Sequence, residues 1–391
     1  PRFLINEEEN GILVPVDDDD ALADAIERVL NNEDLKEKLG KNARHISERL
    51  SSDKIYNMWE EFLVRTANNK MINVIYLVTR LMGNDGPISQ AYNLATGFKA
   101  IKDVNFQIVC ISNELTNRTV EKKFLDAGIK VVRMYHKGTD VIGCVKHLKA
   151  YIKENNIHIV HSSGVRPDMI NALLGNCVKH ITTVRSEPLR VGEKMNVFIG
   201  WSMAKLMLWS MRRMDKVIAC SESLADVIRK THKMDCVAVQ NAVDIDLFKA
   251  VDADEKMAIR NRLSLPTDKK VILYLGSLIP RKNINYLVRA YKKATTDCLL
   301  VLIGDYNGAF ENIYKKENDE KVLFLGQKAP LEYLQCADYT ISASLSEGLP
   351  NSTLESLACG VPMILSDIDP HKEIMRVGDF GVMFNAGKDE N

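Results

Sequence analysis

The chain has 391 residues, enough for two or three domains, and its 52 basic side chains equal its 52 acidic ones. A formal net charge of zero gives no overall field for nucleic acid, and the eight cysteines lack the close spacing of a metal or redox site. No apolar run reaches the length of about 18 residues typical of a membrane span, and the N-terminus is acidic. We therefore expect a cytoplasmic protein.

The first 70 residues form a segment of their own. They begin with a strand-like run at 11–16, followed by three helical stretches whose apolar residues recur at helical spacing, as Ile55 and Trp59 do. No strand and helix alternation follows until Met71. We therefore predict an extra helical segment, residues 1–70.

From Met71 onward, short β-branched runs alternate with amphipathic helical stretches, a pattern typical of parallel α/β sheets. Two series of strands are predicted: 72–81, 106–112, 129–135, 157–163, 181–185 and 216–221, then 271–278, 298–305, 322–326, 339–344, 362–367 and 381–386. Residues 251–270 between them are polar and lack strand character, so they are the predicted interdomain connection. The domains are then 71–250 and 251–391.

The strongest functional signal is residues 344–367, where Glu347 and Glu355 lie on either side of a predicted helix start. Free backbone amides at Asn351 and Ser352, together with the positive end of the helix dipole, form a site for a diphosphate. A carboxylate on the preceding loop can face a sugar, and one a turn inside the helix can bind ribose hydroxyls.

A second signal is residues 276–283, which join a predicted strand to a predicted helix. Ligands of open α/β sheets bind at the edge where strands end, and Arg281 and Lys282 fall at that edge. A lysine there can neutralise the charge that develops on a departing nucleotide diphosphate.

These residues together resemble the family four glycosyltransferases, retaining enzymes of the GT-B fold that use nucleotide sugars. The resemblance covers residues 71–391 and follows the family's order through GNDGP (83–87), IHIVHSSGVRPD (157–168), VIACSES (217–223), QNAVDIDLF (240–248), GSLIPRK (276–282), LFLGQ (323–327), the two glutamates, and SDIDPHKEI (366–374). It implies two Rossmann-like domains facing a central cleft, an expectation that agrees with the α/β pattern.

The resemblance also implies roles for individual residues. Glu347 and Lys282 are the catalytic candidates, at the donor sugar and the diphosphate, and Glu355 binds the ribose. The remaining donor-site candidates are Gly348, Leu349, Asn351, Ser352, Arg281, Ser277 and Gln327, with Gly86 near the reaction centre. No metal or other cofactor is expected, because the Asp244-x-Asp246 and Asp367-x-Asp369 pairs fall where the family has structural turns.

Two positions depart from the family pattern. Ser277 stands where the family usually has arginine, and Ser163 where many members have a histidine that contacts the donor. His161, two residues earlier, aligns with a structural strand residue. These departures leave sugar contacts from the N-terminal domain open.

The implied activity is the transfer of a sugar from a nucleotide-diphosphate sugar to a hydroxyl of a sugar or lipid-linked acceptor, in bacterial cell-surface polysaccharide or glycolipid synthesis. Two alternatives remain open: a sugar-nucleotide epimerase of the same fold, and a non-catalytic subunit that binds nucleotide sugars. Residues 195–214 allow two interpretations as well, a core-facing helix or a helix that rests on the anionic inner face of a membrane.

The resemblance extends to the first segment. Residues 9–30 resemble the C-terminal tail of a second family member, while residues 378–391 match the start of the same tail. We therefore expect residues 1–70 to be the tail of one glycosyltransferase joined to another. Since their apolar stripes need burial, residues 20–66 are predicted to dock on the later domains. Whether the segment completes the fold or is a fusion artefact, and whether the chain is active, stay open.

Overall fold

A computed structural model describes residues 23, 27, 32, 34, 53–59, 71–83, 86–112, 120–134, 136–137, 139–190, 197–305, 319–376 and 380–384. The chain divides into two compact units. The N-terminal unit is residues 52–242, and the C-terminal unit combines residues 1–51 with 243–391. In the described part of the chain, no helix combines the length and apolar character needed to cross a membrane.

The N-terminal unit holds a parallel sheet with the strand order β3-β2-β1-β4-β5-β6-β7. Its strands are β1 Ile72–Val78, β2 Val104–Cys110, β3 Lys130–Arg133, β4 Ile159–Ser162, β5 Lys179–Val184, β6 Lys216–Ala219 and β7 Val237–Ala238. Its helices are α1 Gly86–Ala100, α2 Glu121–Asp126, α3 Val141–Glu154, α4 Val165–Ala172, α5 Val197–Met211 and α6 Glu222–His232, with a 3₁₀ turn at Pro188–Arg190.

The C-terminal unit repeats this architecture with the strand order β10-β9-β8-β11-β12-β13. The strands are β8 Val271–Leu275, β9 Leu299–Ile303, β10 Val322–Gly326, β11 Tyr339–Ser342, β12 Met363–Ser366 and β13 Gly381–Phe384. The helices are α7 Ala253–Arg262, α8 Ile284–Lys293, α9 Pro330–Cys336, α10 Asn351–Ala358 and α11 Asp369–Met375, with a 3₁₀ turn at Pro280–Lys282.

Apolar residues cover both faces of the second sheet, as in other parallel sheets. Ile272 and Tyr274 of β8 belong to one buried cluster, while Val271 and Leu273 belong to a second cluster. Because side chains alternate along a strand, these two clusters lie on opposite faces. The near-continuous apolar runs in the sequence follow from this two-sided burial.

The α/β prediction of two Rossmann-like sheets is confirmed, and each of the twelve predicted strand segments contains a strand. Two details differ. The predicted connection, 251–270, contains α7, whose Ile259 and Arg260 are buried in the C-terminal unit, and the units divide between Ala242 and Val243. The strand β7 was not predicted, because two residues are too few to produce a recognisable strand pattern.

Described residues of the N-terminal segment pack against the folded units. In the C-terminal unit Ala23 is part of a buried apolar cluster, and Glu27 accepts a hydrogen bond from the Thr295 amide at 2.6 Å. Residues 53–59 are helical and belong to the N-terminal unit, where Ile55 and Trp59 are buried. The strand expected at 11–16 lies outside the described residues.

Residues 53–59 fit closely against α1. The Trp59 ring lies 5.0 Å from the His161 ring, centroid to centroid, and the Tyr56 hydroxyl donates to the Asn93 carbonyl at 2.7 Å. A Cβ atom added at Gly97 would lie 2.1 Å from the Tyr56 ring, so only glycine leaves room for that ring. These contacts match the predicted docking for the residues that the structure describes.

Helix α5 combines the two faces that its sequence suggested. Ala204, Met207 and Met211 are buried, whereas Phe198 and Trp201 are 75% and 54% exposed. Residues 195 and 196 lie outside the described part of the chain. The helix therefore packs on its domain and also presents aromatic side chains to solvent.

Candidate active site

The candidate site forms where the strand order of the second sheet reverses. Strands β8 and β11 are neighbours, and the chain leaves them in loops on the same edge of the sheet. In open α/β sheets such a switch point, at the carboxyl ends of the strands, is where ligands bind. The loop after β8 carries Arg281 and Lys282, and the loop after β11 carries Glu347.

Glu347 is the centre of a charged cluster. One of its carboxylate oxygens accepts a hydrogen bond from Lys282 Nζ, and the other lies 2.9 Å from Nη1 of Arg281. The Glu347 side chain is 7% exposed, compared with 12% for Lys282 and 33% for Arg281. One carboxylate and two cations leave the cluster with a net charge of +1.

Backbone contacts hold the two loops together. The Leu345 amide donates to the Arg281 carbonyl at 2.9 Å, and the Arg281 side chain donates to the Ser346 carbonyl. Asn283 takes a left-handed conformation, φ 55°, that ends the 3₁₀ turn and starts α8. The Lys282 ammonium is thereby held close to the backbone at the end of β8. A Cβ atom added at Gly276 would lie 3.6 Å from this ammonium.

Glu347 is ionised at neutral pH. Burial raises the pKa of its carboxyl, but Lys282, Arg281 and a hydrogen bond from Ser344 outweigh that effect and lower the pKa to about 2. A buried carboxylate held by two cations accepts hydrogen bonds strongly. The same cations are suited to an anionic group, provided that they can turn towards it.

Helix α10 begins directly after this loop. Pro350 is its N-cap residue, and its side chain makes no capping hydrogen bond. The start of a helix attracts anions through its backbone amides and dipole. Asn351 and Ser352 open the helix, as predicted, and Glu355 lies one turn inside it with a half-buried side chain.

The other predicted residues are placed as follows. Gly348 and Leu349 are buried in the loop between Glu347 and α10, whereas Ser277 and Gln327 are exposed at the ends of β8 and β10. Gly86 belongs to the N-terminal unit, where it is the first residue of α1. The structure therefore brings Glu347, Lys282 and Arg281 into direct contact, whereas Ser277 and Gln327 follow two strands that β9 separates.

A buried polar group near Glu347 was not predicted from the sequence. His371 of α11 is fully buried, and its Nδ1 lies 2.9 Å from the Ser366 carbonyl oxygen. The Ser366 hydroxyl donates to the Ser344 carbonyl at 2.6 Å. The histidine lies in the segment SDIDPHKEI, which carries part of the family resemblance, but the resemblance implies no role for it.

His161 has the structural surroundings that were expected of it. It is buried, its Nε2 lies 2.7 Å from the Thr183 hydroxyl, and the rings of Trp59 and Tyr76 pack against it. Burial, with a smaller effect of Arg185, lowers the pKa of His161 to about 3. The imidazole is therefore neutral at physiological pH.

Two parallel Rossmann-like sheets of this kind define the GT-B class, and solved structures share the fold. The structure of Anabaena Alr3699/HepE in complex with UDP-glucose superposes with a TM-score of 0.67, over 82% of this chain and 87% of that one, at 13% identity. At this identity the likeness establishes the fold alone.

Family models identify the two halves. The model for glycosyl transferases group 1 matches residues 1–46 and 255–391, and the model for Glycosyltransferase Family 4 matches residues 86–247. The chain therefore carries both glycosyltransferase domains. The matched region of the first model includes the cluster of Glu347, Lys282 and Arg281.

Relatives with names for an activity cover part of the chain. The N-acetyl-alpha-D-glucosaminyl L-malate synthase of Bacillus anthracis is 24% identical over 251 residues, 60% of this chain and 63% of that protein. The N-acetylgalactosamine-N,N'-diacetylbacillosaminyl-diphospho-undecaprenol 4-alpha-N-acetylgalactosaminyltransferase of Campylobacter jejuni is 30% identical over 166 residues, 40% of this chain and 42% of that protein. The chain thus spans less than two thirds of each.

Proposed function

We propose that the chain transfers a sugar, with retained configuration, from a nucleotide-diphosphate sugar to an acceptor hydroxyl in the synthesis of a bacterial cell-surface polysaccharide or glycolipid. The observation that carries this proposal is the contact of Glu347 with Lys282 and Arg281 at the switch point between β8 and β11. The glycosyltransferase domains and the names of the two relatives agree with it.

The charges of the cluster suit such a donor. The +1 cluster lies on the loop that leads into α10, so its charge and the positive end of the helix dipole both attract the diphosphate. In the proposed complex, Lys282 and Arg281 turn towards the phosphate oxygens. Glu347 then accepts hydrogen bonds from sugar hydroxyls, and Glu355 binds the ribose.

Catalysis follows from charge stabilisation. Negative charge grows on the nucleoside diphosphate as the glycosidic bond breaks, and Lys282 stabilises that charge. The departing phosphate helps to deprotonate the acceptor hydroxyl, and binding brings the two reactants together. Because Lys282 and Arg281 supply the positive charge, we propose a reaction without a metal; turnover that EDTA abolishes would contradict this.

A panel of nucleotide sugars tests the proposal. UDP-glucose, UDP-N-acetylglucosamine and GDP-mannose are added to the full chain, and the thermal midpoint is measured. A donor at about 100 times its Kd stabilises the protein by about 2.7 kcal/mol. No stabilisation by any donor would contradict the proposed site.

Product analysis with the stabilising donor separates the alternatives. A transferase releases the nucleoside diphosphate and glycosylates an acceptor, or slowly hydrolyses the donor when water takes the acceptor's place. An epimerase forms an epimer of the donor without any acceptor. A non-catalytic subunit binds the donor and leaves it unchanged, which would overturn the enzymatic part of the proposal.

Helix α5 suggests how a lipid-linked acceptor is reached. Phe198 and Trp201 are exposed beside Lys205, whose ammonium lies 3.7 Å above the Trp201 ring. Exposed Arg212 and Arg213 follow the helix, so aromatic and basic groups are adjacent, as in helices that rest on anionic membranes. We propose that this surface touches the inner face of a bacterial membrane.

Flotation with phosphatidylglycerol vesicles tests the membrane contact. The full chain is expected to float, and the Phe198→Ser/Trp201→Ser variant is expected to remain in the soluble fraction. Ile142→Ser is a matched control, because Ile142 is 73% exposed on α3. Absence of binding by the full chain, or an equal loss in the control, would contradict the contact.

A further inference from the structure

His371 has a defined protonation pattern. Its Nδ1 lies 2.9 Å from the Ser366 carbonyl oxygen, which can only accept a hydrogen bond, so Nδ1 carries the proton. The Ser366 hydroxyl, 3.2 Å away, is a second acceptor for that proton, because its own hydrogen is donated to Ser344. Nε2 is then unprotonated, and it has no hydrogen-bond partner among the described residues.

A chain of hydrogen bonds leads from this histidine to the charged cluster. Ser366 is the last residue of β12, and its hydroxyl donates to the carbonyl of Ser344, two residues beyond the end of β11. The Ser344 side chain in turn hydrogen-bonds Glu347. Three consecutive contacts therefore join α11, β12 and the loop that carries Glu347.

The histidine stays neutral in this position. It is fully buried, and burial lowers its pKa to about 4, with Glu347 raising the value and Lys282 lowering it. Charging of the imidazole would allow Nε2 to donate and would add a third cation near Lys282 and Arg281. In the neutral form, Nδ1 is the only ring nitrogen that donates a hydrogen bond.

We propose that His371 is a positioning residue for Glu347: its Nδ1–H orients Ser366, which holds Ser344 and thereby the loop that aims the Glu347 carboxylate at the donor sugar. The inference rests on the proposed function, because the orientation of Glu347 affects turnover only if Glu347 binds the donor sugar. It concerns orientation only, because His371 acts on Glu347 through Ser366 and Ser344.

Two substitutions separate positioning from packing. Asn places its amide N–H where Nδ1–H lies in histidine, whereas Phe fills the space without a donor. With the stabilising donor of the panel, and donor hydrolysis as the assay, His371→Asn is expected to keep kcat within about 3-fold of wild type. His371→Phe is expected to lower kcat about 10- to 100-fold, because small displacements of a reacting group are costly. Affinity for the free nucleoside diphosphate should change little.

Two further variants control this result. Ile374→Val shortens a buried apolar side chain of the same helix and should lower the thermal midpoint without lowering kcat. Ser366→Ala breaks the same chain, so the Ser366→Ala/His371→Phe double variant should be no slower than the slower single variant. A fall in kcat for Ile374→Val equal to that of His371→Phe, or normal kcat in His371→Phe, would overturn the inference.

Failure of the proposed function has a different signature. If wild type neither binds nor hydrolyses any donor, the function is wrong, and the inference is then tested on the protein alone. ¹⁵N NMR of histidine-labelled wild type at pH 7 should show His371 with a proton on Nδ1 and none on Nε2, and Ser366→Ala should shift the Glu347 carboxyl resonance in ¹³C spectra. The opposite tautomer, or an unmoved Glu347 resonance, would overturn the inference.

Discussion

Two carboxylates of the C-terminal unit each bind one lysine and one arginine, yet their surroundings differ. Asp338 pairs with Lys256 at 2.8 Å and Arg260 at 2.5 Å, and it also accepts the Val271 amide at 2.7 Å. That amide begins β8, so this cluster lies at the amino end of the strand. Glu347 lies instead at the carboxyl ends of β8 and β11.

The arginines show the difference most clearly. The Arg260 side chain is 5% exposed, and all five of its N–H groups are used, because it donates to Asp338 and to the carbonyls of Cys336, Pro266 and Lys269. Arg281 is 33% exposed and donates to Glu347 and one carbonyl. The two clusters have the same charges. At Asp338, backbone carbonyls occupy the remaining arginine donors, so the cluster stabilises the fold. At Glu347, the arginine makes fewer hydrogen bonds to the backbone and is more exposed, which suits it to ligand binding.

Removal of Lys282 or of the Glu347 carboxylate should have the largest effect on turnover. Lys282→Ala is expected to reduce turnover of the stabilising donor about 10²- to 10³-fold, because charge stabilisation at the leaving group is lost. Glu347→Gln is expected to reduce turnover by a similar factor of about 10²- to 10³-fold, because the carboxylate that positions the donor sugar is lost. Initial rates measure this, with Lys256→Ala as the matched control. Near-normal turnover in either variant would remove the distinction between the clusters.

Disruption of the Asp338 cluster should instead lower the stability of the fold. Asp338→Asn leaves Lys256 and Arg260 without their carboxylate and is expected to lower the free energy of unfolding by about 3 kcal/mol. Urea denaturation gives this value, and turnover per folded molecule should stay at the wild-type level. A specific loss of turnover in Asp338→Asn would show that both clusters serve the reaction.

The contact between residues 53–59 and α1 should also contribute to the stability of the fold. Alanine at Gly97 would overlap the Tyr56 ring, so Gly97→Ala should destabilise the full chain by about 2 kcal/mol. In a Tyr56→Ala background the same substitution should be neutral or stabilise by about 0.5 kcal/mol, because alanine favours a helix. Denaturation of the four variants measures this coupling; equal effects in both backgrounds would show that the segment does not dock.

The smallest expected effect is on acid stability. The pKa of Glu347 is lowered from 4.5 to about 2, so its ionised form stabilises the fold above pH 4.5, and that contribution is lost as the pH falls towards 2. With allowance for solvent near Arg281, we expect about 1 kcal/mol. The stability difference between wild type and Glu347→Gln should shrink over that pH range. A difference that is constant with pH would place Glu347 outside an ion pair.

The sheets could be predicted because most of their strands are buried and appear as apolar or β-branched runs, whereas the two-residue strand β7 gives no such run. Helix α7 could not, since Ile259 and Arg260 are its only buried residues and give no apolar stripe. Its Arg260 is buried through hydrogen bonds to distant carbonyls, which local sequence does not reveal.

The candidate site was predictable to a similar degree. Glu347, Lys282 and Arg281 follow strands, and the ends of neighbouring parallel strands converge, so their proximity could be inferred. His371 acts through Ser366, five residues earlier, and Ser344, which precedes Ser366 by 22 residues, and no sequence pattern shows that these side chains are connected. The same limit applies to Tyr56 and Gly97, whose contact depends on a fit between distant helices.

Calorimetric titration of UDP and GDP into wild type, Lys282→Ala and Lys256→Ala tests the central claim, that the Glu347 cluster is the donor site. Each removed lysine pairs with a buried carboxylate, so the charge change is the same. We predict that Lys282→Ala weakens binding of the preferred nucleotide at least about 10-fold, the effect of one lost charge-assisted bond, and that Lys256→Ala leaves it unchanged. Equal affinity in wild type and Lys282→Ala would contradict the account.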